Sequence, residues 1–183
     1  MLSSGKLPPH RIAHIAVLAS VGTILFALEN QIPHPIPWFR LGIGNVAVLL
    51  ALFIYGPMEA VLVALLKFLL GNLISGRLLG PSFILSGAGT AAAVSAMVLA
   101  ALFIYPRLSI VGVSLLGAFS HDMAQIAVAS AVIVKRPLLP LVPPVILSGT
   151  VTGLAIGFLS HIVVVKLRPV SFVAGDSGGT FRC

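Results

Sequence analysis

Residues 81–105 read PSFILSGAGTAAAVSAMVLAALFIY and carry no Asp, Glu, Lys or Arg over 25 positions. As an α-helix this stretch is about 37 Å long at 1.5 Å per residue. That length crosses the ~30 Å hydrocarbon layer of a bilayer. Pro81 opens it where a first helical turn tolerates proline. Pro106 and Arg107 close it.

The same reading extends in both directions. Apolar runs cover Ile12–Leu28, Leu41–Tyr55, Met58–Leu70, Leu108–Val134 and Val145–Val165. Gly56-Pro57, the glycine-rich 71–80, Pro106-Arg107 and the breaker-rich PLLPLVPP (137–144) separate them. The run at 41–55 is short for a span. Residues 30–40, NQIPHPIPWFR, form an irregular segment with interfacial Trp38. The expectation is an all-α integral membrane protein, a six-helix bundle. An N-terminal segment 1–11 precedes the membrane domain 12–166. A flexible, glycine-rich tail 167–183 follows it.

Composition agrees. Of 183 residues 58% are hydrophobic and 8% charged, and mean hydropathy is +1.15. Soluble domains carry about 25% charged residues, so soluble and disordered classes are excluded. The net charge of +7 is scattered between apolar runs, not gathered into a nucleic-acid patch. It reads as topology. With the N-terminus inside, Lys6, Arg11, Arg107, Lys166, Arg168 and Arg182 lie on the cytoplasmic side. Arg40, Arg77, Lys135 and Arg136 lie outside. The excess favours both termini in the cytoplasm. The lone Cys183 allows no disulfide within the chain.

Chemistry-bearing motifs are few. There is no GxxxxGK[ST] phosphate loop, no HExxH and no paired-carboxylate motif. GIGNVA (42–47) and GAGTAA (87–92) fit GxGxxA, but they lie in apolar helices without a βαβ unit. Gly149, Gly153 and Gly157 form GxxxGxxxG on the last helix, one face for close helix packing. Ala13, Ala16 and Ser20 make a small-residue stripe on the first helix, suited to packing inside the bundle or against another subunit.

Polar residues within spans are the candidates for function, because burying them in a membrane is costly. His121 and Gln125 are four apart, and Asp122 and Gln125 three apart, so all three share a side. They form an interhelical hydrogen-bond network or a ligand-binding face. Lys67 is the one lysine inside an apolar run. It pairs with Glu29 or Glu59, snorkels, or touches a substrate. Asn72, Arg77 and Ser82 cluster at a helix break, where backbone groups become available to ligands. Arg40 and Asn45 stand in a similar position beside the second helix. No residue set suggests a metal or cofactor. Positive charge at Arg40, Lys67 and Arg77 is compatible with an anionic or phosphorylated ligand.

The segment LENQIPHPIPWFRLGIGNVAVLLALFIYGPMEAVLVALLKFLLGNLISGRLLGPSFILSGAG (28–89), then GAFSHDMAQIAVAS (117–130) and LSGTVTGLAIG (147–157), resembles the Gx transporter family. That family is often labelled heptaprenyl diphosphate synthase component I. The resemblance covers roughly residues 12–165. It implies a six-helix fold akin to the S components of energy-coupling factor transporters, multi-pass proteins of the bacterial inner membrane. They bind a small molecule near the outer face, and a separate coupling subunit and ATPases drive uptake. Residue by residue, Glu29 matches the glutamate after the first helix. Arg40, Gly42 and Asn45 match a basic-x-Gly-x-x-Asn stretch. Gly71, Gly76, Pro81 and Ser82 match the glycine-rich break, and His121 and Gln125 a His-x-x-x-Gln pair. Asp122 departs from the family's Asn. The first-helix stripe only loosely resembles an Ala-x-x-x-Ala coupling motif, since Val17 follows Ala13. The label also raises an accessory role in prenyl synthesis, or in a flavin or redox system. With only Asp122 and Asp176, the chain has no aspartate-rich magnesium motif for prenyl transfer itself.

Overall fold

The structure, a computed structural model, describes residues 9–29, 31, 42–78, 80–105 and 107–173. Six α-helices carry the fold among them: α1 (Pro9–Glu29), α2 (Asn45–Ile54), α3 (Pro57–Ile74), α4 (Pro81–Phe103), α5 (Ile110–Val128) and α6 (Val142–Val173). A π-helical turn, Ala129–Val134, continues α5, and a 3₁₀ turn, Leu139–Leu141, precedes α6. No strand occurs among the described residues. The chain is a multi-pass membrane bundle.

Among the described residues, five helices are long and apolar enough to cross a membrane. The exception is α2, at 10 residues or about 15 Å. Its shortness has a clear origin. The chain turns at Gly42, with φ +71°, and Asn45 N donates to Gly42 O at 2.8 Å, so the helix starts four residues later than the apolar run. At the other end Gly56, with φ +128°, leads directly into Pro57 at the start of α3. The opposite departure occurs at α6. The prolines of 137–144 suggest a break, yet α6 starts at Val142 and takes in Pro143 and Pro144. Proline in a first turn forfeits no helical hydrogen bond, because those N–H groups have no partner within the helix.

The bundle is built around α2. Ala47, Val48, Leu49, Ala51 and Leu52 are all buried, and α2 packs on α1, α3, α4 and α6. Val63, Met97 and Val113 complete the core from α3, α4 and α5. The most extensive helix contacts are α4 with α5 and α5 with α6. The outside is apolar: Leu65, Leu69, Phe103, Leu147, Val151 and Phe158 are exposed, as a lipid-facing surface requires. At one end of the bundle His14 stacks on Tyr55 at 5.5 Å between ring centroids, and Arg11 approaches Glu59 at 3.7 Å.

The seam between α5 and α6 is close. A Cβ at Gly157 would lie 2.8 Å from Val111 Cα, and one at Gly153 would lie 3.0 Å from Ala118 Cβ. A Cβ at Gly149 would collide with the Asp122 carboxylate. Ser114 Oγ donates across the seam to Gly153 O at 2.8 Å. The absence of side chains at these three glycines lets the helix backbones approach, and that approach makes the hydrogen bond possible.

Candidate functional site

The start of α2 is held by an acid from α1. Glu29, 2% exposed, accepts from Gly42 N at 2.7 Å and from Ile43 N at 3.1 Å. Its negative charge sits beside the N-terminal end of α2, where the helix dipole favours it. Asn45, the first residue of α2, is thereby fixed facing inward. Its Oδ1 accepts from Lys67 Nζ on α3 at 2.6 Å. The Lys67 stem reaches inward past Gly22 and Gly44. A Cβ at Gly44 would stand 3.0 Å from Lys67 Cδ and 2.9 Å from Gly22 O. Glycine at these positions leaves room for the buried lysine.

From the opposite side α5 presents Ser114, His121, Asp122 and Gln125, all buried. Gln125 Nε2 donates to His121 Nε2 at 2.9 Å. The imidazole lies flat against Gly89 of α4, where no side chain intervenes. Asp122 points toward α6 at Gly149. Its Oδ2 is buried and receives no hydrogen bond from the described residues.

Between these two sides lies a cleft lined by Gly42 and Asn45 from the start of α2, Met97 from α4, Ser114, Ala118, His121 and Asp122 from α5, and Thr152 and Ile156 from α6. It leaves about 10 Å³ for the centre of a water molecule, room for about one water. The site is nearly closed in this conformation. Asp122 also lines a second crevice, with Phe119, Ile146 and Gly149 at the α5–α6 seam.

Of the residues singled out in the sequence, Asn45, His121 and Asp122 line the cleft directly. Glu29 holds Gly42 at its edge, Lys67 stands behind Asn45, and Gln125 stands behind His121. Asn72, Arg77 and Ser82 are not among its lining residues. Asn72 is fully buried, and its Nδ2 donates to Phe68 O at 2.7 Å within α3. Arg40 lies outside the described residues, as does the rest of segment 32–41. Glu59 approaches Arg11. Ala13, Ala16 and Ser20 lie on the exposed side of α1, where Ser20 Oγ donates to Ala16 O. Met97, Ala118, Thr152 and Ile156 were not anticipated. Thr152 carried a readable signal, a polar residue inside a span and next to Gly153. Among the described residues no three His, Cys, Asp or Glu side chains come together as a metal site.

A bundle of apolar helices enclosing a polar cleft defines a multi-pass membrane protein. Over residues 18–163 the chain matches the family described as heptaprenyl diphosphate synthase component I, and it belongs to that family. It is 36% identical over 72 residues to the riboflavin transporter RibU of Staphylococcus aureus (strain TCH60). That match spans 39% of this chain and 38% of the relative's length. Among solved structures the fold is similar to one described as "Structure and mechanism of the S component of a bacterial ECF transporter". The TM-score is 0.52 at 24% identity, over 90% of this chain and 97% of that one. The fold is thus a helical bundle of the S-component type.

Proposed function

We propose that this chain is the substrate-binding membrane subunit of a small-molecule uptake transporter of the bacterial inner membrane, driven by separate coupling and ATP-hydrolysing subunits. The cleft between α2, α5 and α6 carries the reading. Buried polar side chains are expensive inside a membrane and usually mark a pathway or a ligand. Here they converge from four helices, α1, α2, α3 and α5, of an S-component-type bundle. Asn45 lines one side, backed by Glu29 and Lys67, and His121 and Asp122 line the other, backed by Gln125. Arg40, Asn72, Arg77 and Ser82 belong to the same proposal as contacts made nearer the outer face.

Uptake into proteoliposomes tests it. The first probe is labelled riboflavin, chosen from the relative's name, followed by a panel of vitamins and their precursors. Uptake should require this chain, the coupling subunit and ATP together. Uptake by the ATPase assembly without this chain would refute the role.

The family's descriptive name favours a second reading, an accessory membrane subunit of heptaprenyl diphosphate synthase. The chain itself lacks clustered aspartates for magnesium pyrophosphate, so on this reading it would act through a catalytic partner. Prenyl-transfer rates of that partner, with and without this chain in the same membrane, separate the two: only an accessory subunit changes them.

A further inference from the structure

The α5–α6 seam holds a polar group that the cleft does not account for. Asp122 is 4% exposed, and its Oδ2 receives no hydrogen bond from the described residues. That oxygen occupies the space a side chain at Gly149 would fill. Gly149 lines the second crevice and not the cleft, so this end of the carboxyl belongs to the crevice. The hydroxyls of the seam are engaged elsewhere. Ser114 donates across it to Gly153 O, Ser148 to Pro144 O and Val145 O, Thr150 to Ile146 O, and Thr152 to Ser148 O and Gly149 O. A hydroxyl has one proton to give, so none of the four is left to complete Oδ2.

The crevice opens toward lipid. Its walls are Leu115 and Phe119 from α5, and Ile146, Gly149 and Thr150 from α6. Phe119 is 49% exposed, Thr150 is exposed, and so are the neighbouring Leu116, Leu147 and Val151. Asp122 also stands at mid-depth. The apolar span Ile110–Val134 places it twelve residues from either end, about 18 Å of helix each way. Phospholipid headgroups stay at the interface, about 15 Å from the bilayer centre. The crevice leaves about 20 Å³ for the centre of a water-sized group, room for one small polar group and no more.

We infer that this crevice binds the hydroxyl of a lipid-soluble alcohol with no charged headgroup, its apolar chain lying in the bilayer against Phe119 and Ile146. The carboxyl selects the hydroxyl. An ionised carboxyl needs a donor, and a protonated one also needs an acceptor for its own proton. A hydroxyl is both, so it completes Asp122 in either form, whereas a carbonyl or an ammonium serves only one. The apolar walls and the lipid exposure select the chain. The depth excludes a charged headgroup, which is costly to carry to the bilayer centre. The site lies on the outside of the bundle and does not rest on the transporter reading.

The test uses the full chain in phospholipid nanodiscs. The probe is a long-chain alcohol with a photoreactive diazirine next to its hydroxyl end, and mass spectrometry maps the labelled residues. Labelling should concentrate on 115–122 and 146–150. Excess unlabelled alcohol should reduce it at least tenfold, the scale of one buried hydrogen bond, and an alkane of the same length less than twofold. Asp122→Leu removes the polar partner, and Thr150→Phe fills the mouth from an exposed position; both should lose the labelling at least tenfold. The competition in wild type and the Thr150→Phe variant decide the matter if Asp122→Leu does not fold. Equal competition by the alkane, labelling spread evenly over the lipid-facing helices, or undiminished labelling in the folded variants overturns the inference.

Discussion

Replacing Gly157 by alanine should damage the α5–α6 seam in a measurable way. The new Cβ would lie 2.8 Å from Val111 Cα and 2.9 Å from Ser114 Cβ, where 3.4 Å begins ordinary contact. Val111 Cα is backbone and cannot rotate aside. The helices must separate locally by about half an ångström, and overpacking of this kind costs about 1–3 kcal/mol. The same movement stretches the Ser114–Gly153 hydrogen bond, now 2.8 Å, which contributes a further 0.5–1.5 kcal/mol or so. Alanine's better helix propensity returns up to about 1 kcal/mol. The net expectation is a loss of roughly 1–3 kcal/mol, together with displacement of Ser114 at the cleft. Gly87→Ala is the control. There the nearest atom is the tip of the Phe68 ring at 3.2 Å, which can shift, so that variant should match or exceed wild type. Thermal unfolding in one detergent reads both. Equal midpoints for Gly157→Ala, Gly87→Ala and wild type would refute the close-seam argument.

Other consequences follow from the same geometry. Glu29→Ala strips the acceptor from the partly buried Gly42 N and Ile43 N and should cost about 0.5–1.5 kcal/mol for each bond lost, with Glu29→Gln milder; thermal unfolding and hydrogen exchange at the start of α2 check it. Gly42→Ala, forced to φ +71°, should lose about 1–2 kcal/mol by the same assay. His121→Ala and Gln125→Ala should reduce ligand retention while helical content by circular dichroism is unchanged; if both retain ligand normally and lose only thermal stability, the stripe is a packing network. The purified chain alone should hydrolyse no ATP in a coupled phosphate-release assay, having no phosphate loop.

The fold was legible wherever a local rule governs it. The 25 uncharged residues from Pro81 could only be a span, and Gly56-Pro57 could only separate two helices. Local rules failed where position within a helix changes their meaning. Pro143 and Pro144 read as breakers but fall in the opening turn of α6, where they break nothing. The pairing of His121 with Gln125 was legible from four-residue spacing alone. The setting of Asp122 was not, because Gly149 meets it from another helix. Lys67 illustrates the same limit. Its bond to Asn45 depends on the space left by Gly22 and Gly44, which only the packed bundle reveals. Thr152 escaped notice because a lone threonine in a span usually bonds back into its own helix, and this one does so as well as lining the cleft.

The most direct measurement is the unfolding midpoint of the purified chain against fractions of a small-molecule extract from its own cells. One fraction should raise the midpoint, and the rise should vanish in His121→Ala and Asp122→Asn. If no small-molecule fraction shifts the midpoint, and a purified prenyl synthase catalytic subunit does, the interior cleft is not a ligand site and the central claim is wrong.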